Sequence, residues 1–165
     1  KDLQKLDGWT ALLIASDKGH TEIVQCLVSA GANKDHQTQN GWTALLIASR
    51  NGHIGTVQCL VTAGANKEHQ TQNGWTALLM ASRNGHIGTV QYLVTIGANK
   101  DHQTQDGWTA LLVASKNGHT EIVQCLVSTN ANKEYQTQDG WTASLIASQN
   151  GHTEIVQCLV SAGAN

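Results

Sequence analysis

The chain has 165 residues, enough for one compact domain, yet aromatic residues make up only 4% of it and it contains no Phe and no Pro, which is unusual for a single globular core. The net charge is −2 at pH 7, and the 10 Lys and Arg residues are spread along the chain, so no basic stripe marks it as a protein that binds nucleic acid or an anionic membrane surface. The longest apolar runs are pentapeptides such as ALLIA, far short of the roughly 20 residues that span a bilayer, and no signal-peptide pattern is present.

One hexapeptide, GWTALL, recurs at positions 8, 41, 74 and 107, a period of 33 residues, and returns as GWTASL at position 140. The opening KDLQKL aligns with the polar KDHQTQ of the first full copy. These matches predict one array over residues 1–165 that is cut inside a copy at both ends. Its segments are the tail of an earlier copy, 1–6, and five copies, 7–39, 40–72, 73–105, 106–138 and 139–165.

The first copy opens with TALLIAS, which predicts a short buried helix. The hydroxyl of Thr10 can cap its N-terminus by accepting a hydrogen bond from a backbone N–H. Residues 11–16 are apolar on nearly every side, so other elements must cover this helix. Lys18 and Gly19 interrupt the apolar pattern and mark the end of the element.

The next segment, TEIVQCLVSAG, predicts a second helix with one wet face. Glu22, Gln25 and Ser29 form a polar stripe beside the apolar positions, as in an amphipathic helix. Gly31 follows the last residues, where a left-handed backbone is common. In the fourth copy Asn130 takes this place, and Asn is the other residue that tolerates that backbone.

The rest of each copy, ANKDHQTQNG in the first, is polar and rich in turn-forming residues, which predicts an exposed finger. Helices of roughly 8–10 residues are marginal alone in water. Each helix pair must therefore bury its apolar sides against the pairs before and after it.

A unit of 33 residues that opens DGWTALLIAS and continues KGHTEIVQCLVSAGAN closely resembles the ankyrin repeat, and the resemblance covers the whole chain. It implies an all-α solenoid of stacked helix-turn-helix units, with hairpin-like finger loops at right angles to the body. It also implies a protein or peptide partner on the concave groove and the fingers, with no catalysis and no cofactor.

One departure from the family is informative, because its common TPLH is TALL here. The His that bridges neighbouring units in the family is replaced by Leu, and we expect apolar contact instead of the bridge. The leucines are Leu13, Leu46, Leu79, Leu112 and Leu145.

Cysteine occupies one position in four copies, with Tyr92 in the remaining copy. Equivalent positions of stacked helices lie roughly 8–10 Å apart, whereas a disulfide needs Cα atoms within about 7 Å. We therefore expect buried free thiols and a reducing, cytoplasmic location. The cysteines are Cys26, Cys59, Cys125 and Cys158.

Histidine forms two rows along the array. The same spacing prevents either row from converging on a zinc ion, whose ligands lie about 2.0–2.3 Å from the metal. We expect the Gly-His row to hydrogen-bond between helix and finger, and the row at the finger tips to contact a partner. The first row is His20, His53, His86, His119 and His152, and the second is His36, His69 and His102, continued by Tyr135.

Each copy carries a Trp between the turn Gly and the N-cap Thr, a position that in ankyrin repeats lies at the finger base facing the groove. Two interpretations are open: the rings lie flat on the neighbouring finger as an aromatic ladder, or they are anchors for a partner. The tryptophans are Trp9, Trp42, Trp75, Trp108 and Trp141.

The copies differ most at the end of the first helix, where three consecutive copies carry a cation. Such cations either complement the helix dipole or form a short basic strip in the groove that meets an acidic partner segment. The residues are Asp17, Arg50, Arg83, Lys116 and Gln149.

These patterns predict a non-catalytic scaffold for protein–protein interaction, without nucleic-acid or membrane partners. The alternative is a structural or designed array, used as spacer, spring or folding model, which the similarity of the copies favours. Neither end has a full polar cap: Val156 and Leu159 stay apolar in the last copy, and Leu3 and Leu6 could fold over the other end. We therefore expect weak end-to-end self-association.

Overall fold

The computed structural model describes residues 8–164, and within that range the chain forms ten α-helices and no β-strand. The helices follow one another as five pairs, which we number one to five, with a finger loop between successive pairs. Their bounds are α1 Ala11–Lys18, α2 Thr21–Ser29, α3 Ala44–Asn51, α4 Ile54–Thr62, α5 Ala77–Asn84, α6 Ile87–Thr95, α7 Ala110–Asn117, α8 Thr120–Ser128, α9 Ala143–Gln149 and α10 Thr153–Ser161.

In every pair the first helix begins directly after a threonine that caps it. The Thr76 hydroxyl, for example, accepts from the backbone N–H of Leu79 at 3.4 Å. The other four pairs have the same bond, and the cap predicted at Thr10 is confirmed. Such a cap stabilises a helix by about 1 kcal/mol, which matters for elements of two turns.

The chain leaves each second helix through a left-handed residue. Gly31 has φ 82° and Asn130 has φ 61°, the latter being the one non-glycine residue with positive φ within residues 8–164. The Asn side chain tolerates this conformation better than other residue types do. The predicted equivalence of these two positions is confirmed.

The helices stack in two rows. The first helices, α1, α3, α5, α7 and α9, contact one another in chain order, and the second helices form a parallel outer row. The core therefore runs the length of the array, with each pair sandwiched between its neighbours, as predicted for an all-helical solenoid.

The leucine that replaces the family's His faces the following pair. Leu79 is 1% exposed, as are its counterparts in pairs one, two and four, whereas Leu145 of the last pair is 52% exposed. No described pair follows Leu145. The difference in exposure therefore shows that, inside the array, the following pair covers this leucine. Apolar contact replaces the polar bridge, as expected.

The sequence predicted that Val156 and Leu159 form the uncapped apolar surface of the last pair, and this prediction was wrong. Leu159 is fully buried and Val156 is half-buried, whereas Leu145 and Val160 are exposed. The reason is orientation: Leu27, the counterpart of Leu159 in pair one, loses burial where no described pair precedes it. Leu159 thus faces pair four. Residues 3 and 6, expected to cover the opposite end, lie outside the described residues.

Candidate functional site

Each Trp is positioned by a tight turn at the base of a finger. In the third pair the Thr71 N–H donates to the Trp75 carbonyl at 3.0 Å, and the Gly74 N–H donates to the Thr71 carbonyl at 2.9 Å. The Trp75 N–H in turn donates to the Thr71 hydroxyl at 3.2 Å. Gly74 has φ 81°, and a Cβ there would lie 3.1 Å from Thr104 of the next finger, so the turn requires Gly.

Three of the Trp rings are covered by a cation from the same pair. The Arg50 guanidinium carbon lies 4.9 Å from the Trp42 ring centroid, and that of Arg83 lies 5.1 Å from the Trp75 ring. The Lys116 ammonium lies 4.8 Å from the Trp108 ring. These distances are those of cation–π contacts. The aromatic row and the cation row predicted separately from the sequence are therefore one feature, which we call the Trp–cation row, and we call the surface that it lines the groove.

The first and fifth pairs differ from this arrangement. Asp17 and Gln149 stand where the middle pairs carry a cation. Trp9 is half-buried, and Trp141 is 37% exposed at the last pair. The structure thus places the three predicted cations over the rings of the second, third and fourth pairs.

The Gly-His histidines connect neighbouring pairs, so the predicted bond between helix and finger was wrong. His86 Nε2 lies 2.9 Å from the Arg50 carbonyl, and His119 Nε2 lies 3.0 Å from the Arg83 carbonyl. The Gly-His step places each ring at the start of a second helix, beside the end of the preceding pair's first helix. These carbonyls are orphan acceptors of a helix C-terminus, and the ring N–H satisfies them.

This capping bears on the role of the cations. Because His119 already bonds the Arg83 carbonyl, the guanidinium is not needed to satisfy it. The charged group instead lies over Trp75, a residue that precedes the N-cap of the same helix. The position of the charge favours a role in the groove over a role as complement to the helix dipole.

The finger-tip histidines bond the base of the preceding finger. The Nε2 atoms of His36, His69 and His102 lie 2.9–3.0 Å from the carbonyls of Gly8, Gly41 and Gly74, respectively. Each ring is half-buried, and Tyr135 packs against the core at the equivalent place. These residues hold the fingers in register, and partner contact through their open edges stays a prediction.

Two ladders between fingers were not predicted from the sequence. The side-chain amide of Gln105 donates to the Gln72 carbonyl at 2.8 Å, and that of Gln138 donates to the Gln105 carbonyl at 2.7 Å. The Asp101 carboxylate accepts from the Asn132 N–H at 2.8 Å. The sequence repeats these Gln and acidic residues at the period of 33. This repetition does not reveal which neighbouring residue each side chain reaches.

Charge along the groove is uneven because Asp17 pairs with two cations. Its carboxylate lies 3.1 Å from Lys18 and 3.3 Å from Arg50. Burial acts to raise the pKa of Asp17, but hydrogen bonds from Lys18 and Asn51 and the charges of Lys18 and Arg50 outweigh it and lower the pKa overall. Over residues 8–164, Arg83 and Lys116 form no ion pair with a carboxylate.

Cavities along the groove are framed by the Trp rings of neighbouring pairs. That between pairs one and two, at Trp9 and Trp42, has a volume of about 320 Å³. That between pairs three and four, at Trp75 and Trp108, has about 190 Å³. That between pairs four and five, at Trp108 and Trp141, has about 460 Å³. The groove can thus take side chains of a bound segment at successive pairs.

The cysteines are free thiols, but the expectation that they are buried was wrong. Cys26 is exposed and the other three are half-buried, because the position lies at the edge of the second helix, beside the polar Gln25. The Cys59 thiol lies 3.2 Å from the Gln25 side-chain oxygen, and burial raises the pKa of Cys59 and of Cys125. Within the described part of the chain, no three His, Cys, Asp or Glu side chains form a group suited to a metal ion.

No helix within residues 8–164 combines the length and apolar character needed to cross a membrane. A comparison with curated proteins found no significant match. A family model described as "Ankyrin repeats (3 copies)" matches residues 1–71, 49–133 and 88–165, so its matches extend over the entire chain. With the stacked helix pairs and finger loops described above, this match shows that the chain belongs to the ankyrin repeat family.

Proposed function

We propose that residues 1–165 form one ankyrin-repeat array that binds a protein or peptide partner in the groove and along the fingers, without catalysis and without a cofactor. Ankyrin repeats are generally protein-interaction modules. The observation that carries the proposal is the Trp–cation row, which lines cavities open to the groove. Trp and Arg are the residues most enriched among interface hot spots. Four free thiols support a cytoplasmic location, where thiols stay reduced.

Trp75→Ala is expected to reduce partner binding strongly, because Trp75 is central in the row and truncated hot-spot residues typically cost 2 kcal/mol or more, roughly a 30-fold loss of affinity. The wild-type chain, immobilised, is used to capture a partner from a cell lysate. The affinity of that partner is then measured for wild type, for Trp75→Ala and for the control Gln91→Ala, whose side chain is exposed on the outer helix row.

Loss of binding in Trp75→Ala alone, with an unchanged thermal melt, supports the proposal. Equal affinities for all three proteins would contradict it. Loss of the cooperative melt in Trp75→Ala would instead favour the alternative of a structural array, in which the rings serve only to hold neighbouring units together.

We also propose that two copies of the chain associate weakly end to end. Leu145 and Val160 are 52% and 60% exposed at one end, and Ile14 and Ile23 are 42% and 51% exposed at the other. Inside the array the counterparts of Leu145 are buried against the next pair, so the first pair of a second copy is complementary to this face. Sedimentation at rising concentration should show association in wild type and its loss in Leu145→Glu/Val160→Glu. A wild type that stays monomeric at every concentration would refute the idea.

A further inference from the structure

We propose that the cavity between the third and fourth pairs is an anion subsite that takes the carboxylate of an Asp or Glu side chain from an acidic segment of the protein partner. This inference rests on the proposed function, since it assumes that the groove binds a partner. It adds the chemistry of that partner and the residues that recognise it. It is based on two Trp–cation pairs that line one small cavity together: Trp75 with Arg83, and Trp108 with Lys116.

The cavity contains two cations and no carboxylate. Besides the two rings, its wall is formed by Arg83, Lys116, Val113 and Asn117. Over residues 8–164 neither cation has an ion-pair partner. Two positive charges that form no ion pair beside one cavity create a local potential that attracts an anion.

Two further cavities along the groove are framed by the same Trp positions but differ in charge. Between pairs one and two the cation is Arg50, which is already paired with Asp17 at 3.3 Å. Between pairs four and five, Lys116 shares the cavity with Asp106 and Asp139. Among these cavities, all framed by the same Trp positions, the one between pairs three and four is set apart by its charge, because it is lined by two cations and no carboxylate.

The indole rings hold the two cations in place before a partner arrives. With Arg83 at 5.1 Å from one ring centroid and Lys116 at 4.8 Å from the other, each long side chain has lost freedom that binding would otherwise remove. The planar guanidinium can offer two parallel N–H donors to a carboxylate.

The size of the cavity favours a side chain of a larger partner. Its volume of about 190 Å³ is below the range of roughly 300–1,000 Å³ that is usual for small-molecule sites. It is continuous with a groove that presents Arg50 in pair two, so an extended acidic segment can follow the Trp–cation row. The acidic segment ends at pair four, because Asp106 and Asp139 line the next cavity along the groove, and this short stretch of cations is much smaller than the basic stripe typical of a nucleic-acid-binding protein.

The test is a fluorescence anisotropy titration of the full chain with a labelled peptide of about six consecutive glutamates, at low ionic strength where charge pairs are least screened. A peptide of the same length with glutamine throughout, and one that carries phosphoserine among glutamines, are titrated in parallel. Two double variants with equal loss of charge are compared: Arg83→Gln/Lys116→Gln in the cavity and Lys67→Gln/Lys100→Gln on the fingers. Their melting temperatures are measured to verify folding.

We expect the glutamate peptide to bind the wild type, the cavity variant to lose about tenfold or more in affinity, and the finger variant to change less than about twofold. Equal losses in both variants would show attraction by overall charge and would overturn the inference. So would failure of the glutamate peptide to bind, or binding of the phosphoserine peptide alone, which would make the ligand a phosphate group.

A second readout separates this inference from the proposed function. If the partner captured on the wild type loses affinity on Trp75→Ala but binds the Arg83→Gln/Lys116→Gln variant as well as the wild type, the groove is the binding site and the acidic-segment inference is wrong. If Trp75→Ala has no effect on that partner, the proposed function itself fails.

Discussion

Leu79→Ala should lower the free energy of unfolding by about 2–5 kcal/mol, whereas Leu145→Ala should cost less than about 1 kcal/mol, as surface substitutions do. The two leucines occupy the same position of their repeats. Leu79 is 1% exposed because the fourth pair covers it, and Leu145 is 52% exposed. Truncation of Leu79 removes buried methyl groups and leaves a cavity between two repeats. Urea unfolding followed by far-ultraviolet circular dichroism measures both effects.

A longer chain provides the matched control for this prediction. If a second copy of residues 133–165 is joined after residue 165, the period of 33 continues and Leu145 becomes an internal position. Leu145→Ala should then cost about 2–5 kcal/mol in the longer chain. A small cost for Leu79→Ala in the original chain, or no increase for Leu145→Ala in the longer one, would show that the leucines do not hold the stack together.

Gly85→Ala should also be strongly destabilising, for two separable reasons. Gly85 has φ 80°, a conformation that costs a residue with a Cβ about 1–2 kcal/mol. A Cβ there would lie 2.8 Å from His119 Cε1, so the ring must move, and overpacking of this kind adds about 1–3 kcal/mol. Displacement of the ring also weakens its hydrogen bond to the Arg83 carbonyl.

A double-mutant cycle isolates the second reason. In a His119→Ala background, Gly85→Ala should cost only the backbone term of about 1–2 kcal/mol. Gly151→Ala is a further control, because Gly151 has φ 72° but no atom within 4 Å of its Cβ position. If Gly85→Ala costs the same in both backgrounds, the ring does not press on the glycine and the expected overpacking cost is wrong.

Local features of the fold could be predicted because each depends on a few neighbouring residues. The cap at Thr10 needs only a hydroxyl before an apolar helix, and the left-handed residue after the second helix follows from the exchange of Gly31 for Asn130. The apolar contact at Leu79 was predicted because Leu79 occupies the position at which ankyrin repeats carry a His that bridges neighbouring units. In each of these, the residue type at a single position of the repeat carries the prediction.

Features that depend on how copies are offset could not be predicted in the same way. Each copy is apolar on two sides, and one copy alone does not show that Leu145 faces forward and Leu159 faces back. The partner of His119 depends on where the end of the preceding first helix lies. The contact of Arg83 with Trp75 joins residues eight apart through the full length of a helix, beyond the three- or four-residue spacings by which side chains on a helix normally meet.

We expect the Trp–cation row in the groove, and not the outer helix row, to bind the partner. NMR of the full chain with the captured partner tests it directly, because the indole N–H signals of the five tryptophans report on the groove. We expect the signals of Trp42, Trp75 and Trp108 to shift on addition of the partner, while the side-chain amide signals of Gln91 and Gln124, exposed on the outer row, stay unchanged. Shifts confined to the outer row, with all indole signals unchanged, would contradict this expectation.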